Sequence, residues 1–123
     1  MKKRILIIDD EQSLLNSMKR DLRGLRDKYD VFTSMKSKDT LKLIEDDAID
    51  LLITDIYMPE KEGIELIAEV HKKYPSLKII AMSGGGVIEK NTCLDVATKL
   101  GATCCLNKPF TREELVKAVE SEL

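Results

Sequence analysis

Cysteine is scarce in this chain of 123 residues, which contains three, and none of them lies in a CxxC spacing. The three are Cys93, Cys104 and Cys105, so the number is odd and two are adjacent in the sequence. This pattern argues against a zinc site and against a disulfide framework. We therefore expect three reduced thiols, as is usual for a protein of a reducing compartment.

Long hydrophobic runs are also absent. Charged or polar residues interrupt every apolar stretch well before the roughly 20 residues that a membrane-spanning helix needs. The basic start at residues 2–4 has the flank of a signal peptide, but Asp9, Asp10 and Glu11 stand where its apolar core would lie. The net charge of −2 gives no general reason to bind nucleic acid or an anionic membrane. We expect a cytoplasmic protein without direct nucleic-acid contact and without membrane insertion.

A linker, an internal repeat and a low-complexity segment are lacking as well, and the length suits one domain with one core. Strand-like and helix-like segments alternate five times along this domain, which we expect to cover residues 1–123 with no second domain. The strands are predicted at residues 5–8, 29–33, 51–54, 77–82 and 103–106. Several are continuous apolar runs, which is typical of strands buried on both faces. The sequence predicts an α/β fold with a doubly wound, five-stranded parallel sheet and five helices.

The ends of several predicted helices carry capping residues. Ser37 could cap the second helix, and Gly101 is placed to end the fourth. Thr111 and Glu114 have the spacing of a capping box at the start of the last helix.

Polar side chains stand where the predicted strands end. Asp9 and Asp10 follow the first strand, Asp55 the third and Ser83 the fourth, and Lys108 comes two residues after the fifth. Ligands of an open parallel sheet bind in the crevice at the carboxyl ends of its strands, so we expect these side chains to gather at one edge. Three clustered carboxylates need a cation, and oxygen ligands suit Mg²⁺. The sequence predicts a site for a divalent cation and a phosphoryl group.

Simpler explanations exist for single members of this set. Acidic residues such as Asp9 and Asp10 are favoured at helix N-termini, and a lysine is usually a solvated surface residue. Asp55 precedes a loop rather than a helix, which the first explanation does not cover. Pro109 directly after Lys108 holds the origin of the lysine side chain in place, which weakens the second.

The order and spacing of these residues resemble a known family over the whole length of the chain. The matching elements are the acidic pair, Asp55 with Met58-Pro59 and Gly63, then Ser83, then Lys108-Pro109-Phe110. The chain resembles the receiver domain of two-component response regulators. The resemblance implies a flavodoxin-like fold with strand order 2-1-3-4-5, and a stand-alone receiver that has no output domain.

The resemblance also implies the chemistry of the site. Asp55 would be the phosphoacceptor, which attacks a phosphohistidine of a sensor histidine kinase or of a histidine phosphotransfer protein. Mg²⁺ would be bound by Asp9, Asp10, Asp55 and the backbone carbonyl of Tyr57. The chain would be a switch that acts through an unknown downstream protein or through a phosphorelay. It would not be an enzyme beyond its own phosphorylation and autodephosphorylation.

Four further positions follow from the same resemblance. Ser83, Lys108 and Gly84 would bind the phosphoryl group, and Ser83 with Cys105 would occupy the switch positions. Receivers usually carry an aromatic residue where this chain has Cys105, so an aromatic ring cannot be the switch here. Cys105 is either a redox sensor together with Cys104 or a small, buried residue of an edge strand, and we expect the second.

Two other functions remain open. An aspartate-nucleophile phosphatase on an external substrate would typically carry an acid two residues after its nucleophile, where this chain has Tyr57. A constitutive adaptor with a vestigial pocket would not need all five polar residues. His71 is the only histidine, and we expect it to face solvent on the third helix rather than to carry a phosphoryl group.

Overall fold

Five short strands form one parallel sheet in the computed structural model, which describes residues 2–25, 27–56, 63–83 and 98–123. The strands are β1 (Lys3–Ile8), β2 (Tyr29–Ser34), β3 (Leu51–Asp55), β4 (Lys78–Ser83) and β5 (Cys104–Asn107). Their order in the sheet is β2-β1-β3-β4-β5, and every neighbouring pair is parallel. The predicted fold class and the strand order are therefore confirmed, and β2 and β5 are the edges.

A helix follows each strand along the chain. They are α1 (Gln12–Arg23), α2 (Thr40–Asp46), α3 (Gly63–Lys73), α4, whose described end is residues 98–100, and α5 (Arg112–Glu122). A short 3₁₀ turn, Ser37–Asp39, leads into α2. None of the helices in the described ranges has both the length and the hydrophobicity needed to span a bilayer.

The sheet separates two hydrophobic clusters, and successive residues of β1 belong to different ones. Ile5 and Ile7 pack in a cluster with residues of α1 and α5. Leu6 and Ile8 pack in a cluster with residues of α2 and α3. All four side chains are fully buried, and burial of each contributes about 1.5–3 kcal/mol of transfer free energy. The continuous apolar run thus encodes a strand that is covered on both faces. The polar residues that follow it therefore lie at the carboxyl edge of the sheet.

Two of the three predicted helix ends are confirmed. Thr111 accepts a hydrogen bond from the backbone N–H of Glu114, whose side chain accepts one from the backbone N–H of Thr111. Gly101 has a φ of 112°, which favours glycine. The expected Ser37 cap is wrong, because α2 begins only at Thr40 and the buried Ser37 hydroxyl has no hydrogen-bond partner among the residues that the structure describes.

Candidate functional site

Three carboxylates meet at the carboxyl edge of the sheet. Asp9 and Asp10 follow β1 directly, and Asp55 is the last residue of the adjacent strand β3. One carboxylate oxygen from each lies within 4.8 Å of the others. Asp9 is fully buried and Asp55 is 6% exposed, whereas Asp10 is open to solvent. The cluster therefore has a buried base and one exposed side, through which a small ion can enter.

A lysine that directly follows the edge strand β5 contacts the two buried carboxylates of the cluster. Lys108 follows β5, and its Nζ donates to Asp9 Oδ2 at 2.7 Å and to Asp55 Oδ2 at 2.8 Å. Burial alone would lower the pKa of Lys108, but its hydrogen bonds to Asp55 and Asp9 and the charges of those carboxylates outweigh burial and raise it. Lys108 is therefore a fixed positive charge that touches two of the three carboxylates.

Among the described residues one ammonium meets three carboxylates, and Asp10 is the carboxylate on the exposed side. The pKa of Asp10 is raised above its ordinary value of 3.8 by partial burial and then by the charge of Asp9. Asp9 already has other partners, because its Oδ1 accepts from the backbone N–H of Glu11 at 2.9 Å while Lys108 takes Oδ2. Clustered carboxylate oxygens are the ligand set that Mg²⁺ prefers, so the residues present fit this ion.

Ser83 stands at the same edge, at the end of β4. Its side chain is buried, and its hydroxyl donates to Asn107 Oδ1 at 2.9 Å. Its backbone carbonyl accepts from the N–H of Lys108 at 2.9 Å. Ser83 is therefore linked to β5 by one side-chain and one backbone hydrogen bond, and its hydroxyl is engaged with an amide rather than with a carboxylate.

Asn107 is a site residue that the sequence reasoning missed. It pairs with Ser83 in the β4–β5 register and directly precedes Lys108. The signal was present, because a polar residue closing an otherwise apolar strand is the pattern that identified Asp55 and Ser83. The peptide bond between Lys108 and Pro109 is cis.

Two predicted site residues, Tyr57 and Gly84, lie outside the described residues. His71 is exposed on α3, as expected, and its imidazole ring packs so closely on Gly101 that a Cβ at that glycine would overlap it.

The expectation of three reduced thiols is wrong at one position. Cys105 is disulfide-bonded in the structure, whereas Cys104 is a free, half-buried thiol. Both belong to β5, and the third cysteine, Cys93, lies outside the described residues. The spacing of the cysteines along the sequence did not indicate a disulfide, because a disulfide depends on which sulfur atoms are close together in the folded chain.

Known proteins share this sequence pattern and this fold. A profile of the family described as the response regulator receiver domain matches residues 5–120. A receiver domain protein of Clostridium thermocellum is 31% identical with a TM-score of 0.84, over 98% of this chain and 93% of that one. A CheY-like receiver domain protein of Methanospirillum hungatei is 29% identical with a TM-score of 0.85, over 98% and 93%. The chemotaxis response regulator CheY4 of Vibrio cholerae, at 24% identity and a TM-score of 0.85 over both whole chains, shows the shared fold.

Proposed function

Because the chain belongs to the response regulator receiver domain family, we propose that it is a phosphoacceptor switch of a two-component system. Asp55 takes a phosphoryl group from a phosphohistidine of a sensor histidine kinase or of a histidine phosphotransfer protein. The output is the binding of a downstream protein or onward transfer in a phosphorelay. The observation that supports this most directly is the Lys108 ammonium held between Asp55 and Asp9, with Asp10 beside them.

The proposed step is an in-line transfer between two nucleophiles. A carboxylate oxygen of Asp55 forms a bond to phosphorus while the bond between phosphorus and the histidine nitrogen breaks. Phosphoryl transfer depends mainly on positioning and on neutralisation of charge. Lys108 already contacts Asp55, so its ammonium is placed to stabilise negative charge on the transferred oxygens. Bound Mg²⁺ would supply further neutralisation of those oxygens, with Asp9, Asp10 and Asp55 as the residues that hold it.

The switch in this proposal starts at Ser83 and Lys108. A phosphoryl group adds about −1.5 to −2 charge at Asp55, which favours donors that turn toward it. The Ser83 hydroxyl would leave Asn107 for a phosphoryl oxygen, and Lys108 would exchange its bond to Asp9 for one to the phosphoryl group. Both movements act on β5, so a local change of charge becomes a displacement of an edge strand.

A groove beside the site suits the approach of a phosphodonor protein. It has a volume of about 640 Å³ and lies between α1 and the segment that follows β5. Leu14 and Met18 line it from α1, and Pro109 and Phe110 line it from the other side together with Lys108. This groove mixes apolar and polar side chains and includes Lys108, which contacts Asp55, so a partner docked in it would present its phosphohistidine close to Asp55.

The test is phosphoryl uptake in the presence of Mg²⁺. The protein is incubated with acetyl phosphate, and its intact mass is measured, while beryllofluoride binding is followed in parallel. Wild type is expected to gain one phosphoryl group, and Asp55→Asn none. Asp46→Asn, which removes an exposed carboxylate at the end of α2, should react like wild type. Uptake that is absent in wild type, or that persists in Asp55→Asn, would sink the proposal.

The same assay addresses catalysis on external substrates. We place no such activity in this chain and locate it in the cytoplasm, where histidine kinases present their phosphohistidine. Steady release of phosphate from a small phosphomonoester in excess, without accumulation of the phosphorylated protein, would favour a phosphatase instead.

A further inference from the structure

The ends of β4 and β5 are joined through both the backbone and the side chain of Ser83. Its backbone carbonyl accepts from the N–H of Lys108 at 2.9 Å. Its hydroxyl donates to Asn107 Oδ1 at 2.9 Å, and Ser83 and Asn107 are direct partners in the register of the two strands. Rotation about the Cα–Cβ bond of Ser83 breaks the side-chain bond and leaves the backbone bond intact. The hydroxyl can therefore change its partner without separation of β4 from β5.

The Ser83 hydroxyl has a single proton to donate, so it serves one acceptor at a time. Ser83 is only 2% exposed, and a buried donor that loses its acceptor is costly because bulk water does not replace it. While Asn107 accepts this proton, a phosphoryl oxygen cannot. The amide oxygen of Asn107 and a phosphoryl group on Asp55 therefore compete for the same donor.

We propose that Asn107 is a positioning residue of the switch, which acts through the Ser83 hydroxyl and sets how tightly the site binds a phosphoryl group. Its amide oxygen stabilises the resting direction of the hydroxyl and so opposes the direction that a phosphoryl group requires. The part played by the phosphoryl group rests on the function proposed above, whereas the hold of Asn107 on Ser83 does not. If Asn107 only closed β5 as a polar strand end, its side chain would affect stability and leave phosphoryl binding unchanged.

The place of Asn107 in the chain suits this role. It directly precedes Lys108, whose ammonium contacts Asp9 and Asp55. A phosphoryl group on Asp55 would thus attract two donors that are both linked to Asn107, one through the chain and one through a hydrogen bond. An asparagine is uncharged, so it opposes the movement of Ser83 without adding a negative charge beside the carboxylates.

The first experiment tests the hold on Ser83 without any phosphoryl group. The scalar couplings between the Hα and Hβ protons of Ser83, measured by NMR, report the rotation about its Cα–Cβ bond. In wild type we expect the couplings of a single staggered rotamer. Asn107→Leu, which nearly keeps the size of the side chain but removes the acceptor, should give averaged couplings, and Asn107→Asp, which keeps an acceptor, should match wild type. Averaged couplings in wild type, or unchanged couplings in Asn107→Leu, overturn the inference.

The second experiment measures the affinity for beryllofluoride by titration in the presence of Mg²⁺. Asn107→Leu should bind the analogue about five-fold more tightly than wild type, the equivalent of about 1 kcal/mol for one net hydrogen bond. Asn16→Leu makes the same substitution on the exposed face of α1, where the amide oxygen accepts from Gln12, and should bind like wild type. Equal or weaker binding by Asn107→Leu refutes the proposal.

A double-mutant cycle separates positioning through Ser83 from a merely structural role of Asn107. Ser83→Ala removes the hydroxyl whose proton is contested. In that background Asn107→Leu should change the affinity for beryllofluoride by less than about two-fold, the usual limit for independent changes. An effect of Asn107→Leu that persists at full size without the hydroxyl shows that Asn107 acts by another route, and the proposal fails.

Wild type alone supplies the last test, which needs no variant to fold. Saturation with beryllofluoride and Mg²⁺ should change the Ser83 couplings to those of a different single rotamer, because the hydroxyl leaves Asn107. Unchanged couplings in the bound protein refute the competition between Asn107 and the phosphoryl group. Failure of wild type to bind the analogue refutes the phosphoacceptor function instead, while the couplings of the free proteins still decide whether Asn107 holds Ser83.

Discussion

Replacement of Lys108 by methionine should destabilise the protein when no divalent cation is present. The substitution keeps most of the apolar stem and removes the ammonium that bridges Asp9 and Asp55 at 2.7 and 2.8 Å. Removal of one partner from a buried ion pair costs about 3–5 kcal/mol, because the other charge is left uncompensated. The Lys108 side chain is 19% exposed, so we take the lower value of about 3 kcal/mol. For a domain of this size that corresponds to a fall in Tm of about 12 °C.

The same substitution should increase the affinity for Mg²⁺. In wild type the ammonium and a bound ion would share the same carboxylates, and their positive charges would repel each other. At a separation of roughly 5 Å this repulsion is about 1.7 kcal/mol even with the dielectric constant of water. Lys108→Met should therefore bind Mg²⁺ at least about ten-fold more tightly, and saturating Mg²⁺ should restore more stability to the variant than it adds to wild type.

Thermal denaturation at several Mg²⁺ concentrations, each against a sample with chelator, measures both effects. Lys42→Met serves as the control, because Lys42 is an exposed lysine of α2 far from the site in sequence, and surface changes of this kind stay within about 0.5 kcal/mol. If Lys108→Met has the same Tm as wild type in chelator, the ammonium does not compensate the charge of the buried carboxylates. If its Mg²⁺ affinity is equal or lower, the carboxylates do not form the ion site.

Three further substitutions test other parts of the structure. The raised pKa of Asp10 means that the stability of wild type in chelator falls as the pH rises from 3.8 through the pKa of the folded state. Asp10→Asn should lack this fall, and its free energy of unfolding at neutral pH should exceed that of wild type by up to about 1 kcal/mol. Titration calorimetry should also show that this variant has lost Mg²⁺ binding. Gly101→Ala should cost about 1–3 kcal/mol in urea denaturation, because the new methyl group meets the His71 ring at a φ of 112°, and the added change His71→Ala should recover only part of this loss. Thr111→Ala should cost about 1 kcal/mol by the same measurement through loss of the α5 cap, whereas an unchanged midpoint would mean that the cap is dispensable.

The gathering of Asp9, Asp55 and Lys108 was predictable because strand direction converts sequence position into spatial position. In a parallel sheet every strand ends at the same edge, so the residue that closes each apolar run must lie there. The same reasoning covers Ser83. It does not give the partner of each side chain, and the Ser83–Asn107 hydrogen bond depends on the register between β4 and β5. No pattern within either strand encodes that register.

Local and covalent details followed less well from the sequence. Thr111 was predictable as a cap because the capping box is complete within four residues. Ser37 has the residue type of a cap, but its side chain is buried, and the chain makes a 3₁₀ turn before α2 begins. The disulfide at Cys105 was not foreseen, since it requires two sulfur atoms to meet in space and the spacing of the cysteines pointed to free thiols.

The bridge made by Lys108 also bears on when the protein becomes competent during its own synthesis. Its two ion pairs join residues 99 and 53 positions apart in the sequence, and contacts of such separation form late because the intervening chain must be ordered first. A nascent chain whose β1 and β3 segments have left the ribosome still lacks β5 and the lysine that follows it. On a ribosome-bound chain the Asp55 carboxylate can therefore be solvated long before it contacts Lys108, a contact that the proposed phosphoacceptor site requires. Under the proposed function, a chain that stops before β5 would not yet accept a phosphoryl group, because it lacks the lysine that contacts Asp55.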